Sequence, residues 1–281
     1  MRCIHRILVA VKDPTALSLP AVAKATQLAR ALGADLELFH AIDEAVYVDM
    51  MGSSEARALQ TQREERAACL QRLERIAARL RLHTKCVTVW ADWDYPGYEA
   101  IIRRAQTTGA DLIVAECHAG SHLAAGLRRL PDWELVRLSP VPVLLVRGPR
   151  PYHRPTILTA AVDPSHASGQ WAQLDGDLLD MGTLLMKALR GKLHAVHACA
   201  HLVGGSPGEG VGELARRLHA GIVVAGSAAR AGPRHLSAGN TSERLLNSLP
   251  CDLLVVKAAE FSESVPAGNH GPRMVTVLPW C

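Results

Sequence analysis

Short runs of aliphatic residues alternate along the chain with longer segments of helical periodicity. Ile7–Val11 is followed by an amphipathic segment, Pro20–Leu32, which stops at Gly33, and then by a second apolar run, Leu36–Ile42. Such continuous apolar runs are typical of parallel strands that are covered on both faces. The alternation of strands with helices therefore predicts an α/β fold with a doubly wound parallel sheet.

The same patterns predict the remaining elements. In the first half we expect a long helix over 54–82, a strand over 86–90, a helix over 99–107 and strands over 111–115 and 141–146. In the second half we expect a helix over 173–190 and strands over 193–199, 222–225 and 251–257. A further helix is expected near Asn240, because Asn240 and Glu243 resemble a capping box. The strand-like run Met274–Leu278 fits either an added edge strand or a loose segment.

An internal repeat organises these elements. Ile7–Pro14 returns as Ile157–Pro164 at an offset of 150 residues, whereas Leu112–Ala115 returns as Ile222–Ala225 at an offset of 110. The chain is therefore a tandem repeat of one α/β unit. Because the offset falls between the two matches, the second copy is expected to lack about 40 residues, the counterpart of the long helix and its flanks.

The repeat defines two tandem domains, 1–150 and 151–258, and a C-terminal tail, 259–281. Parallel strands need a crossover of about a dozen residues or more, and the segment after the strand over 193–199 has no room for one. We therefore expect a thinner sheet in the second domain, with one face or edge that needs cover. The first domain, the tail from Phe261 or a second molecule are the candidates for that cover.

Composition and charge narrow the class of protein. Hydrophobic residues make up 48% and charged residues 21% of the chain, the formal net charge is +4, and the seven cysteines are scattered. No run has the length of a membrane span or the pattern of a signal peptide. The cysteines include no C-x-x-C pair, which fits free thiols in a reducing compartment. We expect a cytoplasmic protein with neither membrane nor nucleic acid as its partner.

Several polar clusters are candidates for chemistry. His197, Cys199 and His201 alternate and would share one face of a strand, where they could bind zinc together with His194 or Asp163. Ordinary polar alternation at a strand end is the favoured interpretation, so no metal site is predicted.

Two further groups are weighed as catalytic pairs. Asp92 and Asp94 flank Trp93 and are expected to lie in a solvated loop, because a catalytic pair needs shaped surroundings and shifted pKa values. Cys117 and His118 are adjacent, and adjacent residues in a turn rarely point together, so a nucleophile and base pair is not expected there. No catalytic residue is predicted.

A glycine-bearing loop joins the strand over 222–225 to the expected helix near Asn240. Gly226 follows the strand directly, and Gly239 comes just before the helix start. One interpretation is a phosphate cradle, because a helix start offers free backbone N–H groups and a positive dipole end. The other is a turn that uses glycine for its dihedral angles. Loop chemistry alone favours the turn.

Several strings in the chain match one family. In the second copy they are Val162–Pro164, Gly226, Gly239–Glu243 and Cys251–Leu254, and in the first copy they are Tyr98–Ile102 and Pro131–Arg137. With these strings the chain resembles the tandem, E-type members of the universal stress protein family over nearly its whole length, to about Lys257. The resemblance implies two flavodoxin-like α/β domains that pack against each other as a pseudo-dimer, the second of them shortened.

The resemblance also implies a nucleotide site in the second domain. Its expected residues are Asp163, Gly226, Ser227, Ala229, Gly239, Asn240 and Thr241. Asp163 matches the family's aspartate that meets the base. Ala229 and Asn240 depart from the family pattern, although the amide of Asn240 can still donate to a phosphate oxygen.

The first domain matches this pattern poorly. The same frame falls there on Glu116, Ala119, Arg129 and Leu130, with no glycine. Because the Glu116 carboxylate would repel a phosphate, only a poor nucleotide site is expected.

These observations support two functional hypotheses from different classes. The first is a stress-response protein that binds ATP or a related nucleotide in the second domain and signals by binding, with protein partners and a possible homodimer. The second is a scaffold or interaction protein of the same fold that binds no nucleotide. Slow ATP hydrolysis is a third, for which the sequence supplies no positioned base or metal-ligand set. We expect no enzyme.

Overall fold

The computed structural model describes residues 3–49, 55–117, 131–160, 170–196, 207–227, 249–258, 261 and 265–277. Its helices are α1 (Pro20–Leu32), α2 (Glu55–Leu80), α3 (Gly97–Thr108), α4 (Pro131–Leu138), α5 (Gln170–Leu189) and α6 (Pro207–Arg217). Its strands are β1 (Arg6–Ala10), β2 (Asp35–Ile42), β3 (Ala45–Asp49), β4 (Val87–Trp93), β5 (Leu112–Glu116), β6 (Val143–Val146), β7 (Thr156–Ala160), β8 (Lys192–Val196), β9 (Ala220–Ser227), β10 (Asp252–Lys257) and β11 (Arg273–Val277).

Nine of these strands form one sheet, in the order β4-β2-β1-β5-β6-β10-β9-β7-β8. All its neighbouring strands run parallel except β6 and β10, which pair antiparallel with Leu145 opposite Leu253. The first five strands belong to the first repeat and the last four to the second. The predicted doubly wound parallel sheet is confirmed, and the two repeats join edge to edge within it.

Helices cover both faces of the sheet. One apolar cluster joins the sheet to α1, α2 and α5, and a second joins the opposite face to α3, α4 and α6. The strand residues facing these clusters are fully buried, which explains the continuous apolar runs in the sequence. Burial of aliphatic side chains on both faces is therefore the main force holding the described layers together.

The first repeat follows the sequence prediction closely, with two additions, helix α4 and strand β3. Helix α1 carries Pro20 in its first turn and ends at Gly33 in the left-handed conformation, φ 68°, as the sequence indicates. The added strand, the short β3, directly follows β2 along the chain but stays out of the main sheet. It pairs in parallel with β11, so the C-terminal tail does contribute a strand.

The described second repeat contributes one strand fewer than the first to the main sheet and has no counterpart of the long helix α2. Strand β8, the counterpart of β2, is followed in the described chain by α6, the counterpart of α3, and neither α2 nor β4 has a counterpart among the described residues. This confirms the expected thinner sheet. The helix expected near Asn240 lies outside the described residues.

The tail reaches the first repeat and leaves the outer strand of the second repeat at the sheet edge. Val265 is buried with the cluster that contains α3 and α4, and β11 pairs with β3. Strand β8 ends the sheet, and its side chains are exposed or half-buried. Three candidates were considered for covering the exposed edge of the second repeat. The first repeat does not cover β8, because it joins the opposite edge of the second repeat through the pairing of β6 with β10.

The described helices were compared with the length and apolar character of a membrane-spanning helix. No helix within the described ranges combines the length and the apolar character that crossing a bilayer requires.

Candidate functional site

The carboxyl ends of the central strands are the natural place for a ligand in both repeats. In the first repeat the chain reverses its winding between β1 and β5, and in the second repeat between β7 and β9. Doubly wound sheets bind their ligands in the crevice at such a switch point. The residues at the ends of β5 and β9 therefore decide what each repeat can bind.

Gly226 lies at the end of β9, opposite Val256 of β10. A Cβ atom at Gly226 would lie 2.9 Å from Leu174 Cδ2 and 3.3 Å from Leu178 Cδ1, two buried side chains of α5. The glycine therefore allows α5 to approach the strand closely. Of the two interpretations in the sequence analysis, neither anticipated this packing role, since it depends on a contact between distant segments.

Glu116 holds the equivalent position in the first repeat, at the end of β5. Its Oε1 accepts a hydrogen bond of 3.4 Å from the backbone N–H of Ala21, in the first turn of α1. Helix α1 has no side-chain cap and no acidic residue in its first turn. The Glu116 carboxylate therefore supplies the negative charge that a helix start favours.

The two repeats thus differ at one structurally equivalent position. In the first repeat a carboxylate of the protein itself occupies the start of α1, the place where an anion would be bound. In the second repeat the equivalent position, next to the last residue of β9, is a glycine that carries no charge. The Glu116 carboxylate would therefore disfavour an anionic ligand there, whereas Gly226 places no charge at the equivalent position.

The aspartate that follows the first strand remains ionised in the first repeat. Asp13 Oδ1 accepts hydrogen bonds from Thr15 Oγ1 at 2.6 Å and from Thr15 N at 2.8 Å. These bonds lower the pKa of Asp13, and the charges of His40 and Arg72 lower it further. Asp13 is exposed, so its carboxylate is open to solvent at the end of β1.

Most of the predicted nucleotide residues fall outside the described part of the chain. Of the residues predicted to bind nucleotide in the second repeat, the structure describes Gly226 and Ser227, whose backbones pair with Val256 and Lys257 of β10. Asp163, Ala229, Gly239, Asn240 and Thr241 lie outside the described residues, as do their first-repeat comparisons Ala119, Arg129 and Leu130.

The candidate zinc ligands are mostly outside the described residues as well. His194 lies on β8 and is exposed, whereas His197, Cys199, His201 and Asp163 are not described. Within the described ranges no group of three His, Cys, Asp or Glu side chains is arranged to hold a metal ion. The zinc hypothesis therefore stays untested.

The expectation that Asp94 lies in a solvated loop is wrong. Asp94 is buried, with 3% of its surface exposed, and its Oδ2 accepts bonds from Arg103 Nη2 at 2.6 Å and Arg103 Nε at 3.0 Å. Asp92, by contrast, is half-buried and lies 3.9 Å from Arg66. The two carboxylates therefore have separate cationic partners. The partner of Asp94, Arg103, lies on the following helix, and sequence spacing did not reveal that the two side chains meet.

Cys117, at the end of β5, has a raised pKa, which does not favour the reactive thiolate. Burial is the main cause that raises its pKa, and the neighbouring Asp132 raises it further, while Arg147 acts in the opposite direction. A reactive cysteine needs a lowered pKa. His118 lies outside the described residues.

A buried polar cluster joins the two repeats where β6 meets β10, and the sequence analysis missed it. Lys24 Nζ of α1 lies 2.5 Å from Asp252 Oδ2 of β10, and Tyr152 Oη donates to the same oxygen at 2.6 Å. Arg147 N donates to Asp252 Oδ1 at 2.9 Å. The available signal was Lys24 itself, a charged residue in the apolar stripe of α1.

The chain matches known proteins over nearly its whole length. A model described as the universal stress protein family matches residues 4–147 and 155–257. Universal stress protein E of Escherichia coli strain K12 is 26% identical over 93% of this chain and 97% of that protein. Universal stress protein E of Salmonella typhi is 25% identical over the same shares.

Solved structures share the fold. A functionally unknown protein from Pseudomonas aeruginosa PAO1 superposes with a TM-score of 0.69 at 22% identity, covering 91% of this chain and 93% of that one. A universal stress protein from Archaeoglobus fulgidus superposes with a TM-score of 0.65 at 13% identity, covering 91% of this chain and 97% of that one. Two consecutive family matches, the second shorter, agree with the tandem arrangement seen in the sheet.

Proposed function

The chain belongs to the universal stress protein family, and on that premise we propose that it binds ATP or a related nucleotide in its second repeat. The relatives that match it across both repeats are E-type universal stress proteins, which associates the chain with the stress response. In this proposal the protein signals by its bound state to protein partners in the cytoplasm.

The difference between Glu116 and Gly226 carries the proposal. Both residues lie at the carboxyl end of the strand beside the switch point, yet only Glu116 places a negative charge there. Two unit charges about 4 Å apart near a protein surface interact with about 4 kcal/mol. A phosphate group is therefore disfavoured beside Glu116 and free of that penalty beside Gly226.

The loop after β9 supplies the remaining chemistry in this proposal. Gly239 and Asn240 match the part of the family motif that precedes a helix, where backbone N–H groups are free to bind phosphate. Thr241 follows them and provides a hydroxyl that can donate to a phosphate oxygen. Asp163 is assigned to the base.

We further propose that binding occurs without dedicated turnover. Phosphate binding through backbone groups needs no acid or base, whereas phosphoryl transfer needs a residue that positions the attacking water and usually a metal ion. A steady turnover of the order of one per second, typical of a dedicated enzyme, would contradict this part of the proposal.

The first test asks whether the purified protein carries a nucleotide, by absorbance and mass spectrometry of the supernatant after denaturation. If it carries none, ATP is added during thermal unfolding. At a concentration about 100 times Kd, a ligand of the folded state stabilises it by about 2.7 kcal/mol. The absence of both bound nucleotide and an ATP-dependent rise in Tm would contradict nucleotide binding.

The second test assigns the site. Gly239→Arg copies Arg129 of the first repeat and is expected to abolish binding. Gly210→Arg is the matched control, because Gly210 is exposed and a Cβ atom there meets nothing within 4 Å. If both variants bind ATP as the parent does, the assignment to the second repeat is wrong.

The alternative, a scaffold without nucleotide, is favoured by one observation. The packing of Leu174 and Leu178 against Gly226 explains this glycine without any ligand. Ala229 and Asn240 also depart from the family motif. This alternative would be supported if the protein purifies without nucleotide, shows no rise in Tm with ATP and still binds a cellular protein partner.

A further inference from the structure

The C-terminal segment 265–277, called the tail segment below, crosses from the second repeat to the first. It follows β10 of the second repeat along the chain, yet its hydrogen bonds to the rest of the chain and its strand pairing are made with the first repeat. Val265 is buried with 7% exposure in the apolar cluster that contains α3, α4 and α6 and the adjoining face of the sheet. Farther on, β11 pairs in parallel with β3 over five residues.

Between these two anchors the first repeat holds the backbone of the tail segment with a buried ion pair. Arg103 Nη1 donates to the carbonyl oxygen of Pro266 at 2.9 Å. Asp94 Oδ1 accepts from the N–H of His270 at 3.0 Å. Asp94 and Arg103 are already joined through Asp94 Oδ2, so each presents one remaining polar atom to the passing chain.

Three further contacts add to the attachment, one of them the Arg273 guanidinium over the Tyr95 ring, 5.4 Å from its centroid. Tyr95 N donates to the carbonyl oxygen of Gly271 at 3.2 Å. His270 Nε2 lies 3.2 Å from Glu99 Oε2, which also pairs with Arg103. Gly271 has φ +70°, a left-handed conformation that favours glycine and turns the chain towards β3.

The attachment is made mainly by the backbone of the tail segment. Pro266 through His270 are exposed, and so are Arg273 and Met274. Val265 is the one buried side chain among those of the tail segment that the structure describes. This combination, main-chain hydrogen bonds to one strand with one apolar anchor, resembles the way in which proteins bind an extended peptide by strand addition. It differs in that β3 pairs with no other described strand.

We propose that the first repeat carries a peptide-binding groove, formed by β3, Asp94, Arg103 and the Val265 pocket, which the chain's own tail segment occupies reversibly. The ligand class is an extended peptide with an apolar residue at the first position. Few buried apolar contacts and many exposed backbone bonds give a segment a low free energy of local opening. The tail segment therefore leaves the groove by breaking its pairing with β3, without unfolding of the nine-stranded sheet.

The groove lies at the carboxyl end of the first repeat. Asp94 N contacts the carbonyl oxygen of Ile42, so the groove begins where β2 and β4 end. Ligands of doubly wound sheets approach from this side. The bound tail segment consequently covers part of that side in the first repeat, and its release exposes it. This inference is independent of nucleotide binding in the second repeat.

The test uses a labelled synthetic peptide of residues 261–281 and three full-length proteins. The tether gives the internal tail segment a high effective concentration, so the parent protein is expected to bind the peptide weakly. Val265→Asp removes the apolar anchor of the internal segment only, while the peptide keeps its valine. Ala267→Asp makes the same charge change at an exposed residue and is the matched control.

The Val265→Asp protein is expected to bind the peptide at least about tenfold more tightly than the parent and the Ala267→Asp protein. A peptide that itself carries Val265→Asp is expected to lose this binding. Equal binding of the unmodified peptide by all three proteins would overturn the proposal.

A second measurement on the parent protein does not depend on the folding of any variant. Hydrogen exchange is followed at the amides of Tyr95 and His270 and along β11. These amides are expected to exchange by local opening, much faster than the amides of β1 and β5. If the amides of Tyr95, His270 and β11 exchange as slowly as those of β1, the tail segment is a permanent part of the first repeat and the proposal is wrong.

Discussion

Two helices of the first repeat, α1 and α3, end at glycine, whereas their counterparts in the second repeat end at an arginine and a histidine. Gly33 after α1 and Gly109 after α3 have φ 68° and 62°. The matching positions, Arg190 after α5 and His219 after α6, have φ 53° and 50°. The left-handed turn is therefore kept while the residue that adopts it without strain is lost.

The sheet likewise keeps its backbone arrangement in the second repeat while it loses favourable contacts. In the first repeat, β2 is flanked by β4, and α2 packs over both of them. In the second repeat, the equivalent β8 is the last strand, and its side chains are exposed or half-buried. The second repeat therefore has the same backbone plan with fewer favourable contacts, which indicates that sheet pairing and helix packing fix the plan more strongly than local residue preference.

The largest effect is expected where the two repeats meet. Asp252 breaks the repeat, because the equivalent position in the first copy is Pro142. Asp252→Ala leaves the buried Lys24 ammonium and the Tyr152 hydroxyl without their acceptor. Removing one partner of a buried ion pair typically costs about 3–5 kcal/mol. Denaturant unfolding measures the loss.

The control for this prediction is Glu213→Ala, which removes an exposed ion pair with Arg216. It is expected to change the free energy of unfolding by less than about 1 kcal/mol. Adding Lys24→Met to Asp252→Ala is expected to recover part of the loss, since the unpaired charge is then removed. Equal small losses for Asp252→Ala and Glu213→Ala would show that the junction contributes little.

These contacts show what sequence reasoning can and cannot provide. The apolar runs correctly predicted the nine strands of the main sheet, because burial on both faces demands such runs whatever the connectivity. Gly33 correctly marked the end of α1, since a left-handed residue is a local requirement. The repeat offset correctly located the missing helix.

Pairings between distant segments were beyond that reasoning. The bond between Lys24 and Asp252 joins residues 228 positions apart, and the pairing of β3 with β11 likewise depends on the path of the tail. The same limit applies to Asp94, which was expected in solvent because its cationic partner, Arg103, lies on the following helix. For the candidate site, the sequence indicated the contrast between Glu116 and Gly226 but not the packing of Leu174 on that glycine.

Alkaline pH distinguishes one buried thiol in each repeat. Burial, with Asp252 nearby, raises the pKa of Cys251 from 9.0 to about 12, and burial raises that of Cys69 to about 11. Above pH 9 the unfolded chain releases a thiol proton that the folded chain retains. The folded state then binds more protons, so stability falls as pH rises from about 9 towards each folded pKa.

The prediction is that Cys251→Ala and Cys69→Ala each flatten this alkaline loss, because each removes a thiol whose pKa is raised by burial. One pKa unit corresponds to about 1.4 kcal/mol. Unfolding free energies are measured in denaturant at several pH values above and below 9. Below pH 9 the slopes of all three proteins are expected to agree, and identical slopes above it would contradict the burial of Cys251.

Exchanging the residues at the ends of β5 and β9 tests whether these positions are equivalent. Gly226→Glu forces a side chain against Leu174 and Leu178, and overpacking of this kind costs about 1–3 kcal/mol. Glu116→Gln removes only the charge at the start of α1, which is worth about 0.3–1 kcal/mol and weakens in salt. Thermal unfolding at low and high salt separates the two. If instead Gly226→Glu lowers Tm in a salt-dependent way and Glu116→Gln does not lower it, the assignment of packing to position 226 and of charge to position 116 is wrong.

The smallest effects concern the helix ends. Arg190→Gly and His219→Gly are each expected to stabilise the protein by about 0.5–1 kcal/mol, because glycine adopts positive φ without strain. Both side chains are exposed, so little packing is lost. In the first repeat, Gly33→Ala and Gly109→Ala are expected to destabilise by a similar amount.

A Cβ atom at Gly33 or Gly109 meets nothing within 4 Å, so those two losses report backbone strain alone. His219→Ala is the control for the second repeat, because it removes the imidazole while keeping a Cβ atom at φ 50°. It is expected to leave the free energy of unfolding within about 0.5 kcal/mol of the parent value. If His219→Ala stabilises as much as His219→Gly, the gain comes from loss of the imidazole, and the strain attributed to the helix ends of the second repeat is absent.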